Sequence, residues 1–396
     1  MRVEESDNML GMHSIRAFGG GGWSIWPRGR IWVEPKQWDR LRCKTLAHIP
    51  KASGRKGEIA LVYADGNAMG KRIRQLRSPE AFRYFARVVD DSIHEACFAA
   101  LESVCRKEIE NIVNWVDRTT RKSQADATEG EDSANADRSR PMLHADILLL
   151  GGDDLLVVLP AEQGLAFARL VAENFRELTA QKMSSLPDPS LQEAFGDEHW
   201  REGFTVSCGV AFAKGDYPVY LLLNLAEELL RSAKTAGSAE VNGTRGQKPA
   251  ITWGIDFHKV TSANTHALSY VRKKVYYVDS PLPRTLRPLD SQGMERLKKA
   301  AERLKQGRLP GSKLNEFWEA ALHPNPHQAQ LAVKEVFARC RTINERRAVW
   351  EATEQLCPPG WTMEFPILRS SKGNGEPRRV LPIADLIEVC ELLDLD

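Results

Sequence analysis

Two apolar runs, Ala145-Asp-Ile-Leu-Leu-Leu150 and Leu155-Leu-Val-Val-Leu159, flank the tetrapeptide Gly151-Gly152-Asp153-Asp154. Apolar runs of this length around a short glycine-bearing turn define a β-hairpin. Successive residues are apolar, so both faces need cover, and the hairpin is expected in the middle of a sheet. Two neighbouring aspartates at its tip repel each other and lose hydration as the chain folds. A divalent cation offsets that cost. The glycines allow a tight turn and let a phosphate approach the backbone. Taken alone, the tetrapeptide is equally well explained as turn chemistry.

The surrounding pattern extends this hairpin into a domain. Ile59-Ala-Leu-Val-Tyr63 reads as a strand that ends in the turn signal Asp65-Gly66-Asn67. A helix is expected from about Ser78 to Val116, with Ser78 as N-cap and Pro79 at its first position. Its apolar face comprises Phe82, Phe85, Val88, Val89, Ile93, Ala96 and Ala100. After the hairpin come a helix (164–178), a strand (204–212), a leucine-rich helix (217–234) and a strand near 250–257. The order predicts an α+β fold of ferredoxin-like type, with helices on one face of a mainly antiparallel sheet. This domain is expected over 58–280, with polar insertions near 118–141 and 183–203. Residues 1–57 read as an irregular segment whose run Gly19 to Gly22 suits a flexible loop. Residues 290–396 read as a small helical domain.

Composition narrows the classes. The net charge of +2 gives no whole-molecule case for nucleic acid or membrane. A local basic stretch, from Arg272 through Arg284 and Arg287 to Arg308, reads as a solvated face or, alternatively, a nucleic-acid or partner surface. The seven cysteines include no C-x-x-C pair, which argues against a zinc ribbon and for a reducing compartment. No apolar run is long enough to cross a bilayer, and a cytoplasmic protein with no membrane association is expected.

Three further features bear on chemistry. Asp65 at a strand end would meet Asp153 if the first strand lies beside the hairpin, and carboxylates from two strands can hold a pair of metal ions. Lys234, in Ala233-Lys-Thr-Ala-Gly237, suits triphosphate oxygens, but it equally suits a helix C-terminus followed by a glycine cap. Gly66-x-x-x-Gly70-Lys71-Arg72 is one residue short of a P-loop and lacks the following Ser or Thr. Lys71 remains a candidate for phosphate.

The joint order of these features is more specific than any one of them. Asp65-Gly-Asn-Ala-Met-Gly-Lys71, Leu149-Leu-Gly-Gly-Asp-Asp154, Ser207-Cys-Gly-Val-Ala211 and the helix from Tyr217 to Lys234 follow in one sequence. This resembles the GGDEF nucleotidyl-cyclase superfamily and, more closely, the palm domain of the large polymerase subunit of type III CRISPR effector complexes. The resemblance covers about residues 58–260, and Pro382-Ile-Ala-Asp-Leu-Ile-Glu388 is similar to the end of those polymerases.

The resemblance implies a metal site of Asp65, the Gly66 carbonyl, Asp153 and Asp154, with Lys234 on the triphosphate. Gly66, Asn67, Gly70, Lys71, Gly151, Gly152 and Ser207 are the accompanying nucleotide-site candidates. Asn67 stands where the family often has a second Asp. Implied cofactors are Mg²⁺ or Mn²⁺ with ATP as substrate, and the implied products are cyclic oligonucleotides in antiviral defence. Only one palm pattern and no His-Asp dipeptide occur, which implies a stand-alone or minimal relative. With one palm, a homodimer would present two nucleotides to each other; CRISPR effector subunits or RNA are the other implied partners. Competing readings are a nucleotide-sensing or scaffold subunit and a template-dependent polymerase.

Overall fold

A computed structural model describes residues 57–112, 114–115, 141–195, 198–237, 252–260, 267–370 and 377–392, with short stretches before residue 52. It divides into two compact units, Met1–Leu222 and Leu223–Asp396.

In the first unit, β1 (Ala17–Phe18), β2 (Gly22–Ser24) and β3 (Trp32–Val33) form a small antiparallel sheet within the expected irregular segment. The main chain path then runs through β4 (Glu58–Gly66), α1 (Met69–Ile73) and α2 (Pro79–Val104). The hairpin follows as β5 (Asp146–Gly151) and β6 (Asp154–Pro160). Next come α3 (Ala161–Ser184), two short helices, α4 (Pro189–Ala194) and α5 (Glu198–Arg201), and β7 (Val206–Lys214). The strands lie in the order β5-β6-β4-β7, every neighbouring pair antiparallel. With α2 and α3 as the two crossovers, this is the expected ferredoxin-like arrangement.

The register follows from burial. Ile59, Ala60, Leu61, Val62 and Ala64 in β4 are buried, as is β6 from Leu155 onward. β4 sits between β6 and β7, pairing Ala64 with Leu155 on one side and Asp65 with Ser207 on the other. α3 packs directly on this sheet: a Cβ at Gly164 would overlap that of Ala60 and lie 3.1 Å from Phe212. α2 starts as its sequence dictates, with the Ser78 hydroxyl accepting the Ala81 N–H at 3.1 Å.

Four expectations need correction. The hairpin is not central: β6 is, but β5 is the edge strand, and Leu148 and Leu149 are partly exposed there. Phe82 does not join the buried face of α2, which begins with Ala81 and Phe85. α2 ends at Val104, with Cys105 breaking it before a further helical turn. The segment 183–203 is not a loop. Its α4 and α5 bring Phe195 and Trp200 into an aromatic cluster with Phe85 and Phe204, at centroid separations of 5.0–6.1 Å. The polar residues of that segment disguise two large buried rings. The segment 118–141 lies outside the described residues.

In the second unit, α6 (Val219–Gly237), which begins at the unit boundary, precedes β8 (Gly254–Lys259), α7 (Leu268–Lys274) and β9 (Leu289–Asp290). Then come α8 (Ser291–Gln306), α9 (Gly311–Ala321), α10 (Pro326–Ala338) and α11 (Ile343–Gln355). Caps delimit them. The Asp290 carboxylate accepts the Gly293 N–H, and Thr342 with Glu345 forms a capping box on α11. The expected helical tail also holds an unforeseen antiparallel sheet of β10 (Trp361–Glu364), β11 (Ile367–Ser370) and β12 (Arg379–Val380), followed by α12 (Ile383–Leu392).

The basic stretch of this unit divides: Lys273, Lys274, Lys299 and Arg308 are exposed, as a solvated face requires, but three of its arginines are not on the surface. Arg272, Arg284 and Arg287 are buried. Arg287 pairs with Asp385 at 2.9 Å and Glu388 at 2.8 Å, and its guanidinium lies over the rings of Phe257 and Tyr276. Arg272 pairs with Asp256, and Arg284 donates to the carbonyls of Ala321 and His323. Neither solvation nor nucleic acid accounts for these three cations; they bind helix ends and strands together from inside.

Candidate active site

The Gly-Gly-Asp-Asp turn has a defined shape. Gly151 pairs with Asp154, so Gly152 and Asp153 alone make the loop. Gly152 has φ +62° and Asp153 does not share that sign, the combination of a II′ turn with glycine first. Glycine is therefore needed at 152. At Gly151 and Gly70, by contrast, a Cβ would meet nothing within 4 Å.

β4 brings Asp65 to this turn. Its next residue, Gly66, lies directly against Asp153: a Cβ there would overlap the Asp153 carboxylate oxygen and stand 2.6 Å from Met69 Cγ. Burial and the charges of Asp65 and Asp154 push the Asp153 carboxyl above the usual carboxylate range, and a hydrogen bond to Asp65 favours its protonated form. Asp65, Gly66, Asp153 and Asp154 thus converge at one end of the sheet. Among the described residues no group of three or more His, Cys, Asp and Glu side chains is arranged to hold a metal. Mg²⁺ commonly takes only one or two carboxylates, completing its shell with phosphate and water oxygens. The mutual repulsion of Asp65 and Asp153 beside a bare glycine backbone fits such an ion.

The remaining candidates separate into different places. Asn67 is buried and bridges two strand ends: its amide donates to Thr205 Oγ1 at 3.0 Å and accepts from Ser207 Oγ at 3.0 Å. Its N–H donates to the Thr205 carbonyl at 2.8 Å. In this structure both side chains hold β4 against β7. Ala68 then turns the chain with φ 60°, a left-handed conformation that is costly for a residue with a Cβ. Gly70 and Lys71 are exposed on α1. Lys234 stands in the last turn of α6.

Two supports were not readable in the sequence. The Asp90 carboxylate, on α2, accepts the Gly152 N–H at 2.9 Å and so holds the turn from outside the sheet. Arg72, on α1, is buried beneath Trp200 and Phe204 and donates to the carbonyls of His199 and Gly203 at 3.4 Å. It fastens the segment after Asp65 to the aromatic cluster. Asp90 is 62 positions from its partner in the chain, and Arg72 reads as one more residue of a basic run.

A ferredoxin-like sheet with an aspartate at the end of one central strand and a carboxylate pair on the adjoining hairpin is a palm. Residues 58–241 match the family model of the Cas10/Cmr2 second palm domain, and this part of the chain is a palm domain of the Cas10 polymerase type. Among curated proteins no sequence matches. Solved structures with a similar course include a Csm1-Csm4 cassette in complex with cA3, at 14% identity and a TM-score of 0.45. That likeness covers 88% of this chain and 37% of the other. Csm1 in T.onnurineus gives 15% identity and a TM-score of 0.37 over 75% and 33%. A Csm1-Csm4 cassette in complex with cA4 gives 14% and 0.39 over 88% and 38%. The chain thus spans little more than a third of the chains it matches.

Proposed function

We propose that this chain is a metal-dependent nucleotidyltransferase that joins ATP into cyclic oligonucleotides, most simply cyclic oligoadenylates, as part of a CRISPR defence system. The observation that carries the reading is the approach of Asp65 and Asp153 across paired strands, with the Gly66 backbone pressed against the Asp153 carboxylate. Asp65, Asp153, Asp154 and the Gly66 carbonyl would hold Mg²⁺ or Mn²⁺. The bound cation would make the ribose hydroxyl a better nucleophile and stabilise charge on the departing pyrophosphate.

The chain's own groups supply the rest. The ribose oxygen of one nucleotide forms a bond to the α-phosphorus of another as the bond to pyrophosphate breaks. Asp154, at the start of β6, assists in holding the carboxylate arrangement, while Lys234 is assigned to the triphosphate. Lys71 is exposed and free of steric cover for phosphate contact. A homodimer, or a second palm in a CRISPR effector assembly, would face the two nucleotides toward each other.

The alternative is a subunit that binds nucleotide without turnover. Both readings are tested by incubating the purified chain with each nucleoside triphosphate and Mg²⁺ or Mn²⁺, and analysing products by mass spectrometry. Cyclic oligonucleotides that vanish in D153A/D154A are the expected result. Metal-dependent binding with no product would establish the non-catalytic subunit, and neither binding nor product would overturn the palm site.

A further inference from the structure

Residues 71–87 contain Lys71, Arg72, Arg74, Arg77, Arg83 and Arg87 against one carboxylate, Glu80, in a chain whose net charge is only +2. Arg72 is buried and accounted for by its aromatic and carbonyl contacts. The other five are exposed. Several cations elsewhere on the surface pair with carboxylates one helical turn away, as in Arg169–Glu173, Arg231–Glu227 and Lys299–Glu295. Among the described residues, the exposed five form no such pair. Glu80 and Asp91, both exposed, lie at helical spacing from Arg83 and Arg87 without engaging them. A dense set of uncompensated cations repels itself and gains most from an extended polyanion.

Part of this set shares one helix face. Phe85 points inward to Trp200 and Phe204, so Arg83 and Arg87, on the opposite face of α2, point outward, and Phe82, one turn before Phe85, is exposed at the flank of that face. Phe82 is 48% exposed, unusual for a phenylalanine beside a packed helix face. Both ends of the segment lead to the carboxylates. Lys71 lies on α1, whose Met69 packs on Gly66, and Arg87 is one turn before Asp90, which holds Gly152. We infer that the exposed α1–α2 face is a docking surface for single-stranded RNA, with its phosphates on Arg74, Arg77, Arg83 and Arg87 and a base stacked on Phe82. Arginine forks suit phosphate oxygens, and an exposed ring suits an unpaired base. Glu80 and Asp91 offer acceptors to ribose 2′-hydroxyls, which DNA lacks. The surface is independent of turnover at the carboxylates.

The test uses the full chain and a fluorescein-labelled oligouridylate, read by anisotropy over a series of salt concentrations. R83A/R87A is expected to weaken binding about 25-fold at ~0.1 M salt and to flatten the slope of log K against log salt by ~1.4, from ~0.7 per phosphate contact on a single strand. F82A is expected to weaken binding at least about fivefold with the slope unchanged. K298A/K299A, which removes the same charge from α8, is expected to bind as the parent does. Phe82, Arg83, Arg87 and Lys299 are exposed and Lys298 is half-buried, and an unaltered melting temperature checks the fold. Absence of RNA binding by the parent, or equal losses in K298A/K299A, overturns the surface. Equal affinity for the DNA of the same sequence overturns the choice of RNA. Displacement of the RNA by polyglutamate at lower concentration than by unlabelled RNA makes the surface a site for an acidic protein instead.

Discussion

Replacing Asp90 with alanine removes the acceptor that holds the Gly152 N–H at 2.9 Å, while leaving every residue of the carboxylate turn in place. Hydrogen bonds to charged groups are worth ~1.5–3 kcal/mol when shielded from water. The Asp90 side chain is 50% exposed, so water competes for both partners and about 1 kcal/mol is the expected loss. If the turn must be held in its II′ shape to receive metal and nucleotide, that energy becomes roughly a fivefold fall in turnover at limiting metal. Excess metal should restore much of it, because binding energy can re-form the turn. Asp90→Asn retains an oxygen acceptor at the same place and is expected to stay within about twofold of the parent. Two assays check this. Product formation is followed against Mg²⁺ concentration for D90A and D90N. Exchange of the Gly152 amide, read by NMR on selectively glycine-labelled protein, is expected to be slower in the parent and D90N than in D90A. An equal loss of activity in D90N and D90A would mean that the Asp90 charge, not the hydrogen bond, matters. Identical Gly152 exchange in the parent and D90A would refute the anchoring itself.

Other perturbations have equally definite outcomes. Gly66→Ala places a methyl against the Asp153 carboxylate and 2.6–2.8 Å from Met69, and overpacking of this kind costs ~1–3 kcal/mol. Thermal melting and turnover should both fall, whereas Gly70→Ala, in open space on α1, should leave turnover unchanged and melt no lower. His258 is half-buried, and loss of hydration, with the charges of Arg287 and Arg272 nearby, holds its imidazole down to about 4. The unfolded chain, with an ordinary histidine near ~6.5, therefore takes up a proton first as pH falls. Stability from this residue is present above pH ~6.5 and is lost between there and pH ~4, by up to about 3 kcal/mol. His258→Gln should flatten that limb in denaturant melts of the chain; an unchanged difference between the two proteins across this range would contradict it.

Much of the palm was legible because its periodicities are local. The hairpin announces itself by two apolar runs and a glycine turn, and α2 by Ser78-Pro79 and its inward residues. Asp65 could be placed at the site because strand ends and turn signals coincide there. What escaped depends on contacts distant in the chain. Nothing about Asn67 or Ser207 shows that each satisfies the other across β4 and β7. Trp200 lies among Glu, His and Arg, so its burial against Phe85 and Phe204 is invisible to a reading by composition. Arg272, Arg284 and Arg287 look like surface charge because their carboxylate and carbonyl partners come from elements up to about a hundred residues away. Centrality of the hairpin was overestimated because leucines satisfy an edge strand as readily as an inner one.

That edge carries a consequence of its own. β5 pairs with β6 through Ile147 and resumes at Leu149, leaving Leu148 as an extra residue in the ladder. A bulge of this kind bends the strand and breaks the even spacing of its outward amides and carbonyls. A foreign strand therefore finds no continuous template along β5, although two leucines stand open on it. The irregularity guards the molecule against sheet extension into fibres, while the leucines remain available to a neighbour that binds through side chains.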